Sequence, residues 1–289
     1  MAVRSPAEIA QVVSNAGEKK ASMATSVLVV LGLMAGVFIG FGAQVSMTVT
    51  QDLSTFAGVG VSKFLSGAIF SVGLMMVIIC GAELFTGNSL MLVSLLDGKI
   101  RPGGLLRNWL WVYLANFAGS LILAGLVYAS GLWKLNNLGL GSSAVNIATA
   151  KVNLTFGEAF TRGILCNWLV CLAVWAAYAA DDVIGKIAAI FFIITSFVAS
   201  GFEHSIANMY YIPMGLFLKA APGIAGAGTG AMGLTWTAFI FKNLLPVTIG
   251  NVIGGALFVG VAYWFAYLRP GLSGRMTRPV EGQKGTIES

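Results

Sequence analysis

The sequence predicts an all-helical integral membrane protein with six transmembrane helices, arranged as two inverted three-helix repeats whose second and fifth helices are broken. Three observations carry this prediction. The chain is 57% hydrophobic and only 10% charged, whereas soluble domains carry about 25% charged residues. Several charge-free windows have the length of about 20 residues that crosses a bilayer. A motif eight residues long occurs once in each half of the chain.

The remaining composition excludes several other classes. The net charge of +6 lies in predicted loops and tails, without the basic patch and aromatic platform that bind RNA, so no nucleic-acid partner is expected. Cys80, Cys166 and Cys171 lie inside apolar runs and fit neither a disulfide framework nor a metal site. We therefore expect no metal and no cofactor. The first apolar run is too long for a signal peptide and is expected to remain as a membrane span.

Four windows predict continuous membrane-spanning helices. They lie between Lys20 and Asp52, between Arg107 and Lys134, between Arg162 and Asp181, and between Lys242 and Arg269. In the first window, Gly32, Gly36 and Gly40 share one helix face, which indicates close packing against a neighbouring helix.

Two further apolar stretches carry a carboxylate in the middle. The first, residues 63–97, contains Glu83, and the second, residues 186–219, contains Glu203. Both are too long for one ordinary span, and a carboxylate at membrane depth is costly. Because Gly and Asn lie beside each acid, we expect two broken helices, with interruptions near residues 83–88 and 201–208.

An internal repeat determines the expected architecture. Residues 81–88 and 201–208 share the pattern G-x-E-x4-N, and Asn108 with Asn116 matches Asn243 with Asn251. Three helices per copy require that the copies have opposite orientations, which is a transport architecture with its site at the midplane. The predicted segments are an N-terminal cytoplasmic segment (1–20), a channel domain (21–269, with repeats at about 21–133 and 155–269) and a polar tail (270–289).

The basic residues near span ends predict the orientation. With both termini in the cytoplasm, eleven Lys and Arg residues lie inside and six outside, as the positive-inside rule requires. The expected location is the cell inner (cytoplasmic) membrane.

The helix breaks are the expected site. Irregular backbone at membrane depth survives only where protein buries it or water reaches it, and freed amide groups suit an anion. His204 is the only histidine and can exchange a proton near neutral pH, although it could also be a buried structural residue. Thr86 could donate to the anion or to the imidazole, or could cap a helix.

Two other polar positions remain open between two roles. Asn167 could face the pore or tie helices together. Lys151 could attract anions or could be an ordinary lysine at the membrane surface. Glu83 and Glu203 are expected to hold the broken helices in place rather than to touch an anion, which a carboxylate would repel.

Four segments resemble signatures of the formate/nitrite transporter family. They are Glu83-Leu-Phe-Thr86, Cys166-Asn-Trp-Leu-Val-Cys171, Gly201-Phe-Glu-His-Ser-Ile-Ala-Asn208 and Pro246-Val-Thr-Ile-Gly-Asn251. The resemblance covers roughly residues 1–270. It implies an aquaporin-like fold and a homopentamer in the lipid bilayer, with one pore in each protomer.

The resemblance also implies roles for individual residues. His204 and Thr86 would form the central polar pair, with Asn167 nearby, and Lys151 and Asn208 would supply electrostatic support. The outer constriction would consist of Leu84, Val170 and Phe197. The inner constriction would consist of Phe70, Leu74 and Ala207.

The expected function is a pH-dependent channel or transporter for small monovalent anions of weak acids, with formate first. Nitrite and hydrosulfide are the alternatives within the family, and protons are the other expected partner. A neutral-solute channel of the aquaporin type is less favoured, because paired Asn-Pro-Ala motifs are absent from the sequence. An ammonium channel would need more spans, and an enzyme would need a nucleophile with a base or a metal cluster, so no enzyme is expected.

Overall fold

A computed structural model describes residues 3–224 and 231–269, and this part of the chain is almost entirely helical. The predicted polar tail, residues 270–289, lies outside the described residues. In chain order the helices are α1 (Pro6–Ser22), α2 (Thr25–Thr50), α3 (Leu53–Phe70), α4 (Val72–Ile79), α5 (Met91–Leu96), α6 (Pro102–Ala129), α7 (Gly139–Val152), α8 (Phe156–Ala179), α9 (Val183–Ala199), α10 (Ser205–Leu218) and α11 (Trp236–Tyr267). Short 3₁₀ turns lie at Gly87–Leu90 and Leu132–Lys134.

Five of these segments are long and apolar enough to cross a membrane: α2, α3 with α4, α6, α8 and α11. They include the four continuous windows of the sequence and the part of the first broken stretch that precedes its interruption. The other broken stretch is divided between α9, with 17 residues, and α10, with 14 residues. Both helices are shorter than the roughly 20 residues of a typical span. The sixth span therefore remains a prediction, in which α9 and α10 cross the membrane together.

Both carboxylate-bearing stretches are interrupted. After α4 the backbone leaves the helix at Gly81, which has φ of +79°, and it resumes as a 3₁₀ turn at Gly87. After α9 it leaves the helix at Gly201, which has φ of +76°. Both glycines adopt a left-handed conformation that other residues rarely tolerate.

The second break ends at His204. Within the region near which the interruption was expected, residues 205–208 form the first turn of α10. The reason is a helix cap: Nδ1 of His204 accepts a hydrogen bond from the backbone N–H of Ala207 at 3.0 Å. The cap satisfies an amide that would otherwise lack a partner at the start of the helix.

Two helices are absent from the predicted span list. Helix α1 packs against α5, where the Ser94 hydroxyl donates to the Ser14 carbonyl oxygen at 2.7 Å. Helix α7 has 14 residues, too few to cross a bilayer, and packs against α10. Each precedes the first continuous helix of one repeat.

The glycine face of α2 packs closely against α6, as predicted. A Cβ atom added to Gly36 would lie 2.2 Å from the carbonyl oxygen of Asn116, and one added to Gly32 would lie 2.6 Å from Cβ of Ala115. On α6, a Cβ added to Gly119 would lie 2.1 Å from the carbonyl oxygen of Leu33. The two helices therefore touch through their backbones.

We expect Gly119→Ala to destabilise the protein and Gly125→Ala to leave it nearly unchanged. Both glycines lie on α6, but a Cβ at Gly125 meets no atom within 4 Å. Separation of α2 from α6 to admit the methyl group should cost about 1–3 kcal/mol. Melting temperature in detergent measures the difference, and equal melting temperatures for the two variants would show that the contact does not hold the helices together.

Candidate functional site

The first break is held by hydrogen bonds to the side chain and backbone of Glu83. Its Oε1 accepts from the Lys20 ammonium at 2.5 Å, and its Oε2 accepts from the Asn88 amide at 2.8 Å. The Asn88 amide also donates to Oδ1 of Asn108 at 2.8 Å. Asn116 accepts from the Phe85 N–H at 2.9 Å and donates to the Glu83 carbonyl oxygen at 2.9 Å.

The second break has the same set of contacts around Glu203. Its Oε1 accepts from the Lys151 ammonium at 2.8 Å, and its Oε2 accepts from the Asn208 amide at 2.7 Å. The Asn208 amide also donates to Oδ1 of Asn243 at 2.7 Å. Asn251 accepts from the Ser205 N–H at 2.9 Å and donates to the Glu203 carbonyl oxygen at 3.0 Å.

The two sets correspond residue by residue. The offsets are 203 − 83 = 120 and 208 − 88 = 120 at the breaks, 243 − 108 = 135 and 251 − 116 = 135 on α6 and α11, and 151 − 20 = 131 for the lysines. The repeated motif therefore corresponds to repeated geometry. Each matched unit also includes a lysine on an earlier helix, Lys20 on α1 and Lys151 on α7. These contacts agree with the expected structural role of the two carboxylates, since each buried charge is paired and hydrogen-bonded.

His204 and Thr86 contact each other across the two breaks. Nε2 of His204 lies 2.9 Å from the Thr86 hydroxyl oxygen, and both side chains are buried. Because Nδ1 accepts from the Ala207 amide, we assign the single proton of the neutral ring to Nε2. The imidazole then donates to Thr86, and the Thr86 hydroxyl proton is available to another acceptor.

Asn167 ties helices together. Its amide nitrogen donates to the carbonyl oxygens of Thr86 and Asn251, at 3.1 and 2.7 Å, and lies 3.2 Å from the Ser89 hydroxyl. Among the described residues its Oδ1 has no hydrogen-bond partner. The structure thus favours the tying role over a place in the pore.

A cavity of about 460 Å³ lies on one side of His204, and we name it the Lys151-side cavity. Its polar lining includes His204, Asn208 and Glu203 together with three basic residues, Lys63, Lys151 and Arg162. Its apolar lining includes Phe70, Phe197 and Ala207.

Next to the Lys151-side cavity lies a central cavity of about 10 Å³, which has room for about one water molecule. It shares Phe70, Phe197 and His204 with the Lys151-side cavity. The rings of Phe70 and Phe197 meet edge to face, with centroids 5.7 Å apart. Leu74, Leu84 and Val170 complete much of the wall. The central cavity is therefore narrow, and its wall is apolar except at the imidazole of His204.

Beyond it lie two cavities that we name together the Lys20-side cavities, with volumes of about 50 and 290 Å³. The smaller one shares Leu74 and Leu84 with the central cavity. Both contain Lys20, Val77 and Val174 in their walls. Adjacent cavities with shared walls thus form one row through the protein, interrupted by apolar side chains.

The cavities divide the predicted constriction residues differently from the two predicted rings, whose assignment stays a prediction. Phe197 lies with Phe70 and Ala207 on the Lys151 side, whereas Leu84 lies with Leu74 on the Lys20 side. The internal repeat explains why Leu84 and Phe197 lie toward different cavities. Leu84 is the counterpart of His204, because 204 − 84 = 120, so the residues that follow the two breaks face opposite ends of the row. Val170 lies at the central cavity between the two groups.

Sequence reasoning assigned no role to several residues that the structure brings to the site. Lys20 pairs with Glu83, and Asn116 and Asn251 bind the broken backbone. The paired asparagines of the repeat were a signal that could have revealed their role. For Lys63 and Arg162, which line the Lys151-side cavity, the sequence contains no such signal. Among the described residues, no group of three or more His, Cys, Asp or Glu could hold a metal.

Comparison with known proteins decides the family. The family model described as "Formate/nitrite transporter" matches residues 7–265. The chain belongs to the formate/nitrite transporter family. It is therefore related to membrane transporters and not to enzymes, and it is a multi-pass membrane protein.

Several members of the family with assigned functions are close in sequence. A probable formate transporter of Methanothermobacter thermautotrophicus is 42% identical over 282 residues, which cover 92% of this chain and 98% of the relative. The formate channel FocA of Escherichia coli (strain K12) is 41% identical over 270 residues, which cover 91% and 94%.

Two solved structures of the family are also similar. A "Pentameric formate channel with formate bound" has 40% identity and a TM-score of 0.75, with 85% of this chain and 98% of that chain covered. An "FNT family ion channel" has 30% identity and a TM-score of 0.78, with coverage of 90% and 98%.

Proposed function

We propose that this protein is a transmembrane channel for small monovalent anions of weak acids, with formate as the main substrate. The observation that carries the proposal is the row of cavities past His204, with basic side chains on the Lys151 side. The relatives described as formate channels or transporters, and the structure with bound formate, support formate over nitrite or hydrosulfide.

The anion gathers in the Lys151-side cavity, where Lys63 and Arg162 provide positive charge and Asn208 lies in the wall. It then meets the ring of Phe70 and Phe197, where a bare charge is costly to move. The central cavity has too little room for a hydrated anion. The aromatic and leucine side chains therefore have to move before the anion passes.

His204 lowers the cost of this crossing as a hydrogen-bond donor. His204 lines the central cavity and carries its proton on Nε2, so an anion there would take this donor in place of the Thr86 hydroxyl. A doubly protonated ring would place an N–H at Nδ1 against the N–H of Ala207 and lose the cap. This geometry supports hydrogen bonding to the anion over proton transfer from the ring.

The proposed assembly is a homopentamer in the cell inner membrane, with one pore in each protomer and both termini cytoplasmic. Six spans result if α9 and α10 cross the membrane together, with the two repeats in opposite orientations. The matched contacts at the two breaks and the pentameric structural relative support this arrangement. Native mass spectrometry of the complex and labelling of a terminal tag from either side of the membrane test it.

A flux panel in proteoliposomes tests the function. Purified protein is assayed with formate, nitrite, hydrosulfide, chloride and glycerol under matched gradients, with empty liposomes as the control. We expect formate to pass fastest and chloride and glycerol slowly. Faster nitrite or hydrosulfide flux would reassign the substrate within the family, and glycerol flux without formate flux would refute an anion channel.

Phe197→Ala is expected to raise chloride flux relative to formate flux. Removal of the ring widens the apolar constriction and lets water accompany the ion, which lowers the dewetting cost that excludes hydrated ions. Leu172→Ala, a truncation on α8 outside the cavity walls, serves as the control. An intact Phe197→Ala assembly with an unchanged chloride-to-formate ratio would exclude Phe197 from the pore.

A further inference from the structure

We infer that Arg162, assisted by Lys63, is a carboxylate-capture site in the wall of the Lys151-side cavity. The inference rests on the proposed function and identifies the residues that recruit its substrate. It concerns residues to which neither the sequence motifs nor the comparisons assign a role.

Positively charged side chains outnumber negatively charged ones in the wall of the Lys151-side cavity. Three basic residues and one carboxylate, Glu203, line it. Lys151 neutralises Glu203 through the 2.8 Å ion pair, and its ammonium also lies 5.5 Å from the centre of the Tyr211 ring. Lys151 is therefore already bound to protein groups. The uncompensated charge of the cavity belongs to Lys63 and Arg162.

In the described part of the chain, Lys63 and Arg162 have no counter-ion at close range. Neither makes a salt bridge within 4 Å among the described residues. Arg162 acts electrostatically on Glu158, one turn earlier on α8, whose carboxylate already accepts hydrogen bonds from the N–H and hydroxyl of Thr155. The guanidinium thus remains available to an anion.

The backbone of Arg162 is fixed beside the pore. Its carbonyl oxygen accepts a hydrogen bond from the N–H of Glu203 at 3.2 Å, so the residue is attached to the break that carries His204. Its side chain is half-buried, whereas Lys63 is exposed. The aromatic walls, which include Phe70 and Phe202, lower the local dielectric and concentrate the field of these cations within the cavity.

The choice of arginine indicates the ligand class. A guanidinium offers a planar fork of N–H groups that matches a carboxylate in a bidentate arrangement, whereas lysine acts as a point charge. A spherical halide cannot use both arms of the fork in this way. Arg162 should therefore favour planar oxyanions such as formate before they reach His204.

Formate flux into proteoliposomes, measured as initial rate against concentration at two ionic strengths, tests the inference. We expect Arg162→Gln to raise the half-saturating formate concentration about fivefold, as for a partly exposed charge contact, with a smaller change in the maximal rate. Lys63→Gln should act in the same direction but less strongly, and the double variant should show a weaker salt dependence. Lys242→Gln, an exposed lysine outside this cavity, is the matched control and should match the unmodified protein.

Arg162→Lys separates capture by the fork from simple attraction. It should keep the salt dependence of the unmodified protein but show a half-saturating concentration between those of the unmodified protein and Arg162→Gln. A value for Arg162→Gln equal to that of Lys242→Gln would overturn the inference, and full recovery by lysine would overturn its carboxylate specificity. An unmodified protein without formate flux would refute the proposed function instead. Formate-dependent stabilisation in detergent, present in the unmodified protein and lost in Arg162→Gln, would then support capture independently, and its absence would overturn it.

Discussion

His204→Asn is expected to lower formate flux by about ten- to hundredfold while the protein still assembles. An asparagine at this position can accept the hydrogen bond of the Ala207 amide, since Asn is among the preferred helix N-cap residues. It removes the imidazole that contacts Thr86 at 2.9 Å. Loss of a hydrogen bond to a charged group in a buried site costs about 1.5–3 kcal/mol, which corresponds to the stated range.

The pH profile of the same variant distinguishes two roles of the ring. The imidazole is the only ionisable side chain in the wall of the central cavity. If its charge state controls flux, the pH dependence of formate flux should flatten in His204→Asn. If it acts only as a donor, flux should fall while the profile keeps its shape.

His204→Phe is the matched comparison. It removes both the cap of α10 and the polar group, so it should block flux and also reduce the yield of assembled protein. An assembled His204→Asn protein with unchanged flux at every pH would identify the histidine as a structural residue and contradict the proposed mechanism.

Asn251→Leu is expected to prevent stable folding. The Asn251 side chain is fully buried, and it binds the N–H of Ser205 and the carbonyl oxygens of Glu203 and Gly163 at 2.8–3.0 Å. Leucine is similar in size but leaves the polar backbone groups of the second break without this partner. Each unsatisfied buried group costs about 1–3 kcal/mol, so the total loss is comparable with the stability of a whole domain.

Two further variants identify the cause of that loss. Asn116→Leu removes the equivalent contacts at the first break and should have a similar effect, whereas Asn146→Leu replaces an exposed asparagine and should have little effect. Yield of the oligomer by size-exclusion chromatography and its melting temperature measure all three. Normal assembly of Asn251→Leu would show that water or other groups satisfy the break.

The sequence alone was sufficient to predict the membrane class, the positions of the long helices and both interruptions. These features depend on local properties: charge-free length, a carboxylate within an apolar stretch, and glycine where the backbone turns. The repeated motif also predicted two equivalent halves, and the contacts around Glu83 and Glu203 correspond residue by residue. Lipid excludes most alternatives for such segments, because every backbone polar group must find a partner within the protein.

Only the tertiary structure decided how residues distant in sequence meet. Thr86 and His204 are 118 positions apart, and no local pattern shows that their side chains touch or that Nδ1 of the imidazole caps α10. The positions of Leu84 and Phe197 toward opposite ends of the row of cavities depend on how the two halves cross. Arg162 likewise remains available to an anion because Lys151, and not Arg162, forms the ion pair with Glu203. Such pairings depend on the geometry of packed helices, and the same linear pattern is compatible with many alternatives.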